Sequence, residues 1–354
     1  MKFNISKNII ENIIFSMQPF LNKKDFSAIT SHIYIEVNNS NLIIKATDQE
    51  IGIKSTIPNL QNTIDGKATV NGANFLNIIK RLRNDDIVFE VMDNFLNIKQ
   101  KMSNFKLPMY NPQEYPDFPS KENLEELDIN TLNLINTIRK ITPAIAHNNP
   151  KYELNGALID IEEKRINFVA TDTRRLAISN LENISNSPKQ LIVPKKAIIE
   201  IQKLFLDEAV IKYDNTNLIV SNQNYTFFTK LINGSFPDYK RIIPKDLKYS
   251  FSFSKASLIE AIKLVTSIES KIKITFNNNE TVFESLDNDT ESKTTIDTFL
   301  NIDESFYIAL DSKNILDFLS GSSSENIDIG FNAPNLPISL KDNNFITIIM
   351  PVVL

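Results

Sequence analysis

Three helix-starting positions, Ser6, Asn130 and Ser254, stand 124 residues apart each time, and no other feature constrains the fold as tightly. Each follows a short run with strand-like alternation and precedes an amphipathic stretch, over 3–17, 127–141 and 251–266. Ser and Asn suit such positions because their side chains accept hydrogen bonds from helix N–H groups that lack an intrahelical partner. A different kind of element keeps the same offset: Ala46-Thr47-Asp48 returns 124 residues later as Ala170-Thr171-Asp172. An offset shared by unlike elements marks a repeated domain. Units of this length bury their own cores, unlike the short repeats of a solenoid.

The interiors of the units read alike. Two strands joined by a polar turn are expected at 33–37 with 42–46, at 157–161 with 166–170, and at 272–276 with 281–283, from their alternating apolar residues. A second helix follows in each unit, over 71–82, 194–205 and 311–319. Pro194 stands at a helix start, where a missing N–H costs nothing. Closing strands are expected at 87–91 with 95–100, 209–213 with 217–220, and 326–330 with 336–340, and a last strand at 345–350. Proline-containing connectors at 107–119 and 234–244 carry the related elements Tyr115-Pro116-Asp117-Phe118 and Phe236-Pro237-Asp238-Tyr239. Prolines so placed end strands and stiffen a crossing between domains. The expected architecture is α+β, with three topologically similar domains, 1–121, 122–246 and 247–354, each with two helices over antiparallel sheets.

Composition narrows the chemistry. The 354 residues are 42% apolar, enough for two or three ordinary cores. With no cysteine there is no disulfide, thiol nucleophile or cysteine-ligated zinc, and His32 and His147 are too few for a histidine-rich metal site. Seven glycines form neither of the glycine-rich phosphate-loop patterns, and no cofactor is expected. No apolar run is long enough to span a bilayer. The alternating start over 1–5 leaves no room for a signal peptide, so a cytoplasmic location is expected. The 38 basic and 43 acidic residues give a formal charge of -5. That argues against a surface that grips nucleic acid everywhere, yet a local basic stripe remains compatible with it.

The helices pair apolar stripes with basic flanks. Leu134, Ile135, Ile138 and Ile141 have Arg139 and Lys140 off the stripe; Phe75, Ile78, Ile79 and Leu82 have Lys80, Arg81 and Arg83 around it. Ile198, Ile201 and Phe205 leave Lys196 and Lys203 outside. Helices over a sheet have this pattern, and charges on their open faces ordinarily serve solubility. Glu11, Glu200, Glu260 and Asp317 dilute any basic stripe. A functional role requires the helices of all three units to face one space, where their cations would touch phosphates without reading bases. Asp48 and Asp172 occupy one place in the repeat, which fits turn architecture, since Asp there accepts backbone N–H bonds. His147 reads as a loop residue. The segment Thr171-Asp172-Thr173-Arg174-Arg175-Leu176 is more informative, as is the apolar ending Ile348, Met350, Pro351, Val352, Val353 and Leu354, because termini are usually polar and frayed.

Met1-Lys2-Phe3, Tyr152-Glu153-Leu154-Asn155-Gly156, Phe168-Val169-Ala170-Thr171-Asp172, Phe236-Pro237-Asp238-Tyr239 with Arg241-Ile242-Ile243-Pro244, and Met350-Pro351 together resemble the bacterial sliding clamps, the β subunits of replicative DNA polymerase. The resemblance covers essentially the whole chain. It implies a protein without catalytic activity. Two chains would associate head to tail, each forming half of a closed ring around double-stranded DNA without sequence preference. A clamp loader would open the ring, and replicative and repair polymerases would be tethered by short linear peptides. The implied peptide pocket comprises Leu154, Thr171, Arg174, Arg175, Leu176, Pro244, Leu247, Ile348 and Met350. The implied DNA-facing residues are Lys23, Lys24, Lys80, Arg81, Arg83, Arg139, Lys140, Asn148, Lys196, Lys203 and Lys263. The seam between chains would involve Lys101, Lys106, Val265 and Thr266.

The chain departs from the family at several places. Thr173-Arg174 stands where the family often has Gly followed by an aromatic residue or His, and Val353 where a basic residue is frequent. The third unit is compressed around Glu269 to Lys271, and Asp289, Glu291 and Lys293 replace most of an acidic run, so fewer ionic contacts are expected at the seam. Two other readings of the repeat are a monomeric scaffold and an enzyme with an interdomain cleft. Dimer mass, retention on circular DNA and metal-dependent turnover separate them.

Overall fold

The computed structural model describes residues 1–25, 27–120, 122–183, 186–267, 270–286, 291–302 and 304–352; Glu269, Asp289, Val353 and Leu354, singled out above, lie outside the described residues. The first repeat runs β1 (Lys2–Ser6), α1 (Lys7–Met17), β2 (His32–Asn38), β3 (Asn41–Thr47), β4 (Ile51–Ile57), β5 (Gly66–Asn71), α2 (Gly72–Arg81), β6 (Asp86–Met92), β7 (Phe95–Gln100) and β8 (Ser103–Pro108). The second runs β9 (Glu125–Glu126), α3 (Thr131–Ile141), β10 (Gly156–Ile161), β11 (Arg165–Thr171), β12 (Arg175–Glu182), β13 (Lys189–Pro194), α4 (Lys195–Leu204), β14 (Val210–Tyr213), β15 (Asn217–Ser221) and β16 (Tyr225–Lys230). The third runs β17 (Tyr249–Ser254), α5 (Lys255–Val265), β18 (Lys271–Phe276), β19 (Glu280–Ser285), β20 (Lys293–Asp297), β21 (Phe306–Asp311), α6 (Ser312–Gly321), β22 (Asn326–Phe331), β23 (Ile338–Asp342) and β24 (Phe345–Ile349). The same order of elements occurs three times.

A side-chain cap bond starts three of the helices, α2, α5 and α6. Asn71 accepts the N–H of Asn74 at 3.1 Å, Ser254 that of Ser257 at 3.4 Å, and Asp311 that of Lys313 at 2.9 Å. Asn130 directly precedes α3. Ser6 holds the same position before α1 without a side-chain bond. The anticipated stripe Leu134, Ile135, Ile138 and Ile141 is buried, each side chain contributing roughly 2 kcal/mol.

Tertiary contacts divide the chain into two compact units, residues 1–131 with 203–231 and residues 132–202 with 232–354. The division cuts through the second repeat because sheets run from one repeat into the next. In the first unit a four-stranded sheet has the order β1-β6-β7-β8, and an eight-stranded sheet the order β5-β2-β3-β4-β16-β15-β14-β9. Its joint is antiparallel, Ile51–Ser55 of β4 against Tyr225–Thr229 of β16. Phe3 and Phe89 stack at 4.7 Å in the core, with Phe75 of α2 edge-on to Phe89.

The second unit has an eight-stranded sheet, β13-β10-β11-β12-β24-β23-β22-β17, and a four-stranded sheet, β20-β19-β18-β21. Here Arg175–Ser179 of β12 pairs with Phe345–Ile349 of β24. The joining strands β4, β12 and β16 have no counterpart in the sequence reading. Each needs a partner remote in sequence before its edge is satisfied.

Candidate functional site

Thr171 ends β11 and Arg175 begins β12. Between them Asp172 Oδ1 accepts the N–H groups of Arg174 and Arg175, both at 3.0 Å. Thr171 Oγ1 donates to the Arg175 carbonyl at 2.6 Å and accepts the Thr173 N–H at 3.1 Å. The turn satisfies its own backbone. Thr173 sits at φ 77, where a β-branched side chain is strained by about 1–3 kcal/mol.

Arg175 is buried, with 6% of its side chain exposed, against 28% for Asp172 and 27% for Asp317. Its Nε donates to Asp172 Oδ2 at 3.0 Å, one terminal nitrogen to Asp317 Oδ2 at 2.7 Å, and the other to the Pro143 carbonyl. A guanidinium presents donors in a rigid fork, and this one ties the turn to α6 and to the segment after α3. Three of the donors of Arg175, which was expected to line a peptide pocket, are thus engaged within the chain. Nearby, Lys195 Nζ donates to the Ile145 carbonyl at 2.7 Å, and burial holds its pKa below the ordinary lysine value.

The apolar residues anticipated for the pocket do come together. Leu154, Leu176 and Ile348 belong to one buried cluster with Leu158, Val169, Ile178 and Ile192, against which Ile346 packs half-buried. Leu176 faces Ile348 across the β12–β24 joint. The end of the chain is pinned twice, by the Met350 N–H on the Arg174 carbonyl at 2.8 Å and the Val352 N–H on the Ala309 carbonyl at 2.9 Å. Met350 is 44% exposed. With Pro351, Val352, Tyr307, Ile308, Ala309, Pro334 and Asn335 it borders a cavity of about 410 Å³, within the size range of ligand sites.

Sequence reasoning missed part of this site. Phe236 and Tyr239 are in the same cluster, Ile243 packs against it, and Ile242 beside them is exposed. Tyr239 donates its hydroxyl to Asp160 at 2.7 Å, and burial pushes the pKa of that hydroxyl up. Gly234 lets the segment enter at φ +150, and a Cβ there would lie 2.8 Å from Glu153 Cγ. The signal was present in the repeated Phe236-Pro237-Asp238-Tyr239 element, which was read as a connector. Two other residues expected at the pocket lie outside this cluster. Leu247 lies on Gly330 of β22, where a Cβ would meet its Cδ1 at 2.5 Å. Adjacent Lys248 and Tyr249 border a separate cavity of about 660 Å³. Pro244 is half-buried and is not among the cluster residues.

The basic residues are mostly open to solvent: Lys23, Lys24, Lys80, Arg81, Arg83, Arg139, Lys196, Lys203 and Lys263 are exposed, as is Asn148. Lys80 lies 5.6 Å from the centroid of the exposed Phe15 ring. Lys140 departs from the expectation. It is half-buried, with Nζ 3.4 Å from Asn344 Oδ1 and 5.6 Å from the Phe345 ring.

Of the seam residues, Lys101 pairs with Asp85 at 2.6 Å and Lys106 lies 4.0 Å from the Phe95 ring. Val265 is a correction. It is 1% exposed and belongs to the buried face of α5 with Leu258, Ala261 and Ile262, so it offers nothing to a partner. Leu264, next to it, is 58% exposed. Thr266 is half-buried and donates to the Ile262 carbonyl.

Known proteins show the same architecture along the whole chain. The N-terminal, central and C-terminal domains of the DNA polymerase III beta subunit match residues 1–119, 128–238 and 240–353. The beta sliding clamp of Helicobacter pylori strain J99 is 38% identical over 352 residues, covering 97% of this chain and 94% of that protein. The beta sliding clamp of Vibrio cholerae is 24% identical over 374 residues, covering 99% and 100%. Among solved structures, the Helicobacter pylori beta clamp bound to a DNA ligase peptide superposes with a TM-score of 0.94 at 37% identity, covering all of both chains. The Pseudomonas aeruginosa beta subunit shares the fold at 21% identity, with a TM-score of 0.92 and full coverage of both chains. Threefold repetition, sheets shared between repeats and full-length similarity agree: the chain belongs to the bacterial DNA polymerase III beta subunit family, the sliding clamps.

Proposed function

We propose that the chain is a DNA polymerase processivity factor that encircles duplex DNA as a head-to-tail homodimer and tethers polymerases and repair proteins through a peptide site. The observation that carries the ring is the rule by which sheets join. The last strand of the hairpin series in one repeat pairs with the final strand of the next: β4 with β16, and β12 with β24. By position, β20 is the third such strand and β8 the third such partner, and each is the terminal strand of a four-stranded sheet. Pairing β20 with β8 of a second copy, and the reverse, applies the rule without remainder and leaves no joint open. That is a heterologous, head-to-tail contact whose rotation closes after two copies, giving two identical seams. Leu264 replaces Val265 as the apolar contributor there, with Lys101, Lys106 and Thr266 nearby.

Enclosure replaces affinity in this mechanism. Exposed cations touch phosphates loosely through water, so the ring slides, and closure prevents escape. The chain itself needs no nucleotide; the clamp loader supplies the opening step. The peptide site is assigned to the cavity bordered by Met350, whose N–H bonds the Arg174 carbonyl, together with Thr171 and the Leu154, Leu176 and Ile348 cluster at the β12–β24 joint. The Helicobacter pylori relative holding a DNA ligase peptide supports that reading. No helix of the described residues is long and apolar enough to cross a membrane, in keeping with a place in the cytoplasm beside the replication machinery.

The test is retention on DNA. Loaded by the clamp loader onto circular plasmid, the protein should stay bound through gel filtration and be lost once the plasmid is cut. Thr295→Pro in β20 removes a ladder N–H and should halve the native mass and abolish retention. Equal retention on linear DNA with free ends would overturn the ring.

A further inference from the structure

The adjacent residues Arg174 and Arg175 carry the same charge and have opposite fates. Arg175 takes both nearby carboxylates, Asp172 and Asp317. Arg174 is exposed, and among the described residues its guanidinium has no hydrogen-bond or ion-pair partner. Its backbone is nevertheless fixed at both ends: the N–H is held by Asp172 at 3.0 Å and the carbonyl by the Met350 N–H at 2.8 Å. An unspent positive charge is therefore anchored one hydrogen bond from the residue that borders the apolar cavity.

We infer that Arg174 is a specificity-determining residue of the peptide site, selecting partner peptides that carry a carboxylate beside their apolar anchor. This rests on the peptide-site reading above. Arg suits the role because its planar fork can hold a carboxylate by two parallel hydrogen bonds. The pinned backbone lowers the ordering cost that a flexible surface charge would otherwise bear on binding. The apolar cavity provides affinity and the charge provides choice, the usual division at an interface.

The experiment uses full-length protein and fluorescent synthetic pentapeptides with two apolar anchor residues, made with Asp, Asn or Lys at each flanking position. Binding is read by fluorescence anisotropy. The wild-type chain should prefer the best Asp peptide over its Asn counterpart by up to about fivefold, the range of an exposed charge pair. The preference should shrink as salt rises, because screening shortens the reach of exposed charge. Arg174→Ala should bring the Asp-to-Asn ratio to about one, and Arg174→Glu should shift preference to the Lys peptide; a loss of packing alone would produce no such reversal. Peptide binding that is weakened by Met350→Ala, yet equal for Asp and Asn in wild type, overturns the charge assignment alone. Absence of any binding that Met350→Ala weakens overturns the peptide site and this inference together.

Discussion

The turn Thr47–Ile51 of the first repeat and the turn Thr171–Arg175 of the second are wired alike. Thr47 donates to the Ile51 carbonyl at 2.8 Å and accepts the Gln49 N–H at 2.9 Å, while Asp48 accepts the N–H groups of Glu50 and Ile51, both at 3.0 Å. The second turn repeats every one of these bonds. Even the left-handed third residue recurs, Gln49 at φ 76 and Thr173 at φ 77. The fifth position differs. Ile51 is a buried apolar residue, whereas Arg175 is a buried cation holding two acids. The repeat conserves the backbone solution, and its second copy adds a buried cation that ties the turn to Asp317 of α6 and to the Pro143 carbonyl. Shared bonds therefore report architecture, and the difference between copies points to the site.

Removing the turn aspartate should separate the two copies most widely. Asp172→Ala deprives two N–H groups of their acceptor and leaves the buried guanidinium with Asp317 and the Pro143 carbonyl, a loss of about 3 kcal/mol. Asp48→Ala removes backbone acceptance without stripping a carboxylate from a buried guanidinium, a loss of about 1 kcal/mol. Hydrogen exchange of the strands flanking each turn reads both locally. Equal losses would show that the charges on Arg175 contribute nothing beyond the wiring.

A smaller effect is expected when the second turn is made like the first. Arg175→Ile should destabilise by about 2 kcal/mol, because the two carboxylates it leaves behind are partly solvated and repel only moderately. Arg175→Lys should recover less than half, since an ammonium cannot reproduce the fork. Full recovery in urea midpoints would reduce the network to a point charge.

The smallest effect has the opposite sign. Thr173→Gly should stabilise by about 1 kcal/mol, because relief of left-handed strain exceeds the entropy glycine adds to the unfolded chain. Gln49→Gly, lacking a β-branch to relieve, should change stability by less than about 0.5 kcal/mol. Thermal midpoints decide it. A loss at Thr173 would mean that its side chain makes contacts outweighing its backbone strain.

Much of this was open to reading from residue order. The helices, most of their starting residues and the outer hairpins were legible because capping and periodicity act within a few neighbours. Val265 was assigned to the seam although Leu258, Ala261, Ile262 and Val265 follow helical spacing and mark the buried face, which turns Leu264 outward. The buried cluster around Leu176 and Ile348 was only partly legible. Leu176 and Ile348 meet because β12 pairs with β24, and Tyr239 joins them through a hydroxyl bond to Asp160, 79 residues away. The contact of Leu247 with Gly330 of β22 was illegible for a related reason, since the two residues are remote in sequence.

Residue order by itself determined the threefold repeat, the helices and the wiring of the Thr-Asp turns, because each is satisfied by contiguous groups. Only tertiary structure decided which sheet edges join, that Arg175 finds Asp317 across 142 residues, and hence that Arg174 is the arginine left unpaired. The physical reason is that a charge pair is fixed by the packing of distant strands and helices, whereas a turn's hydrogen bonds are closed by the residues of the turn itself.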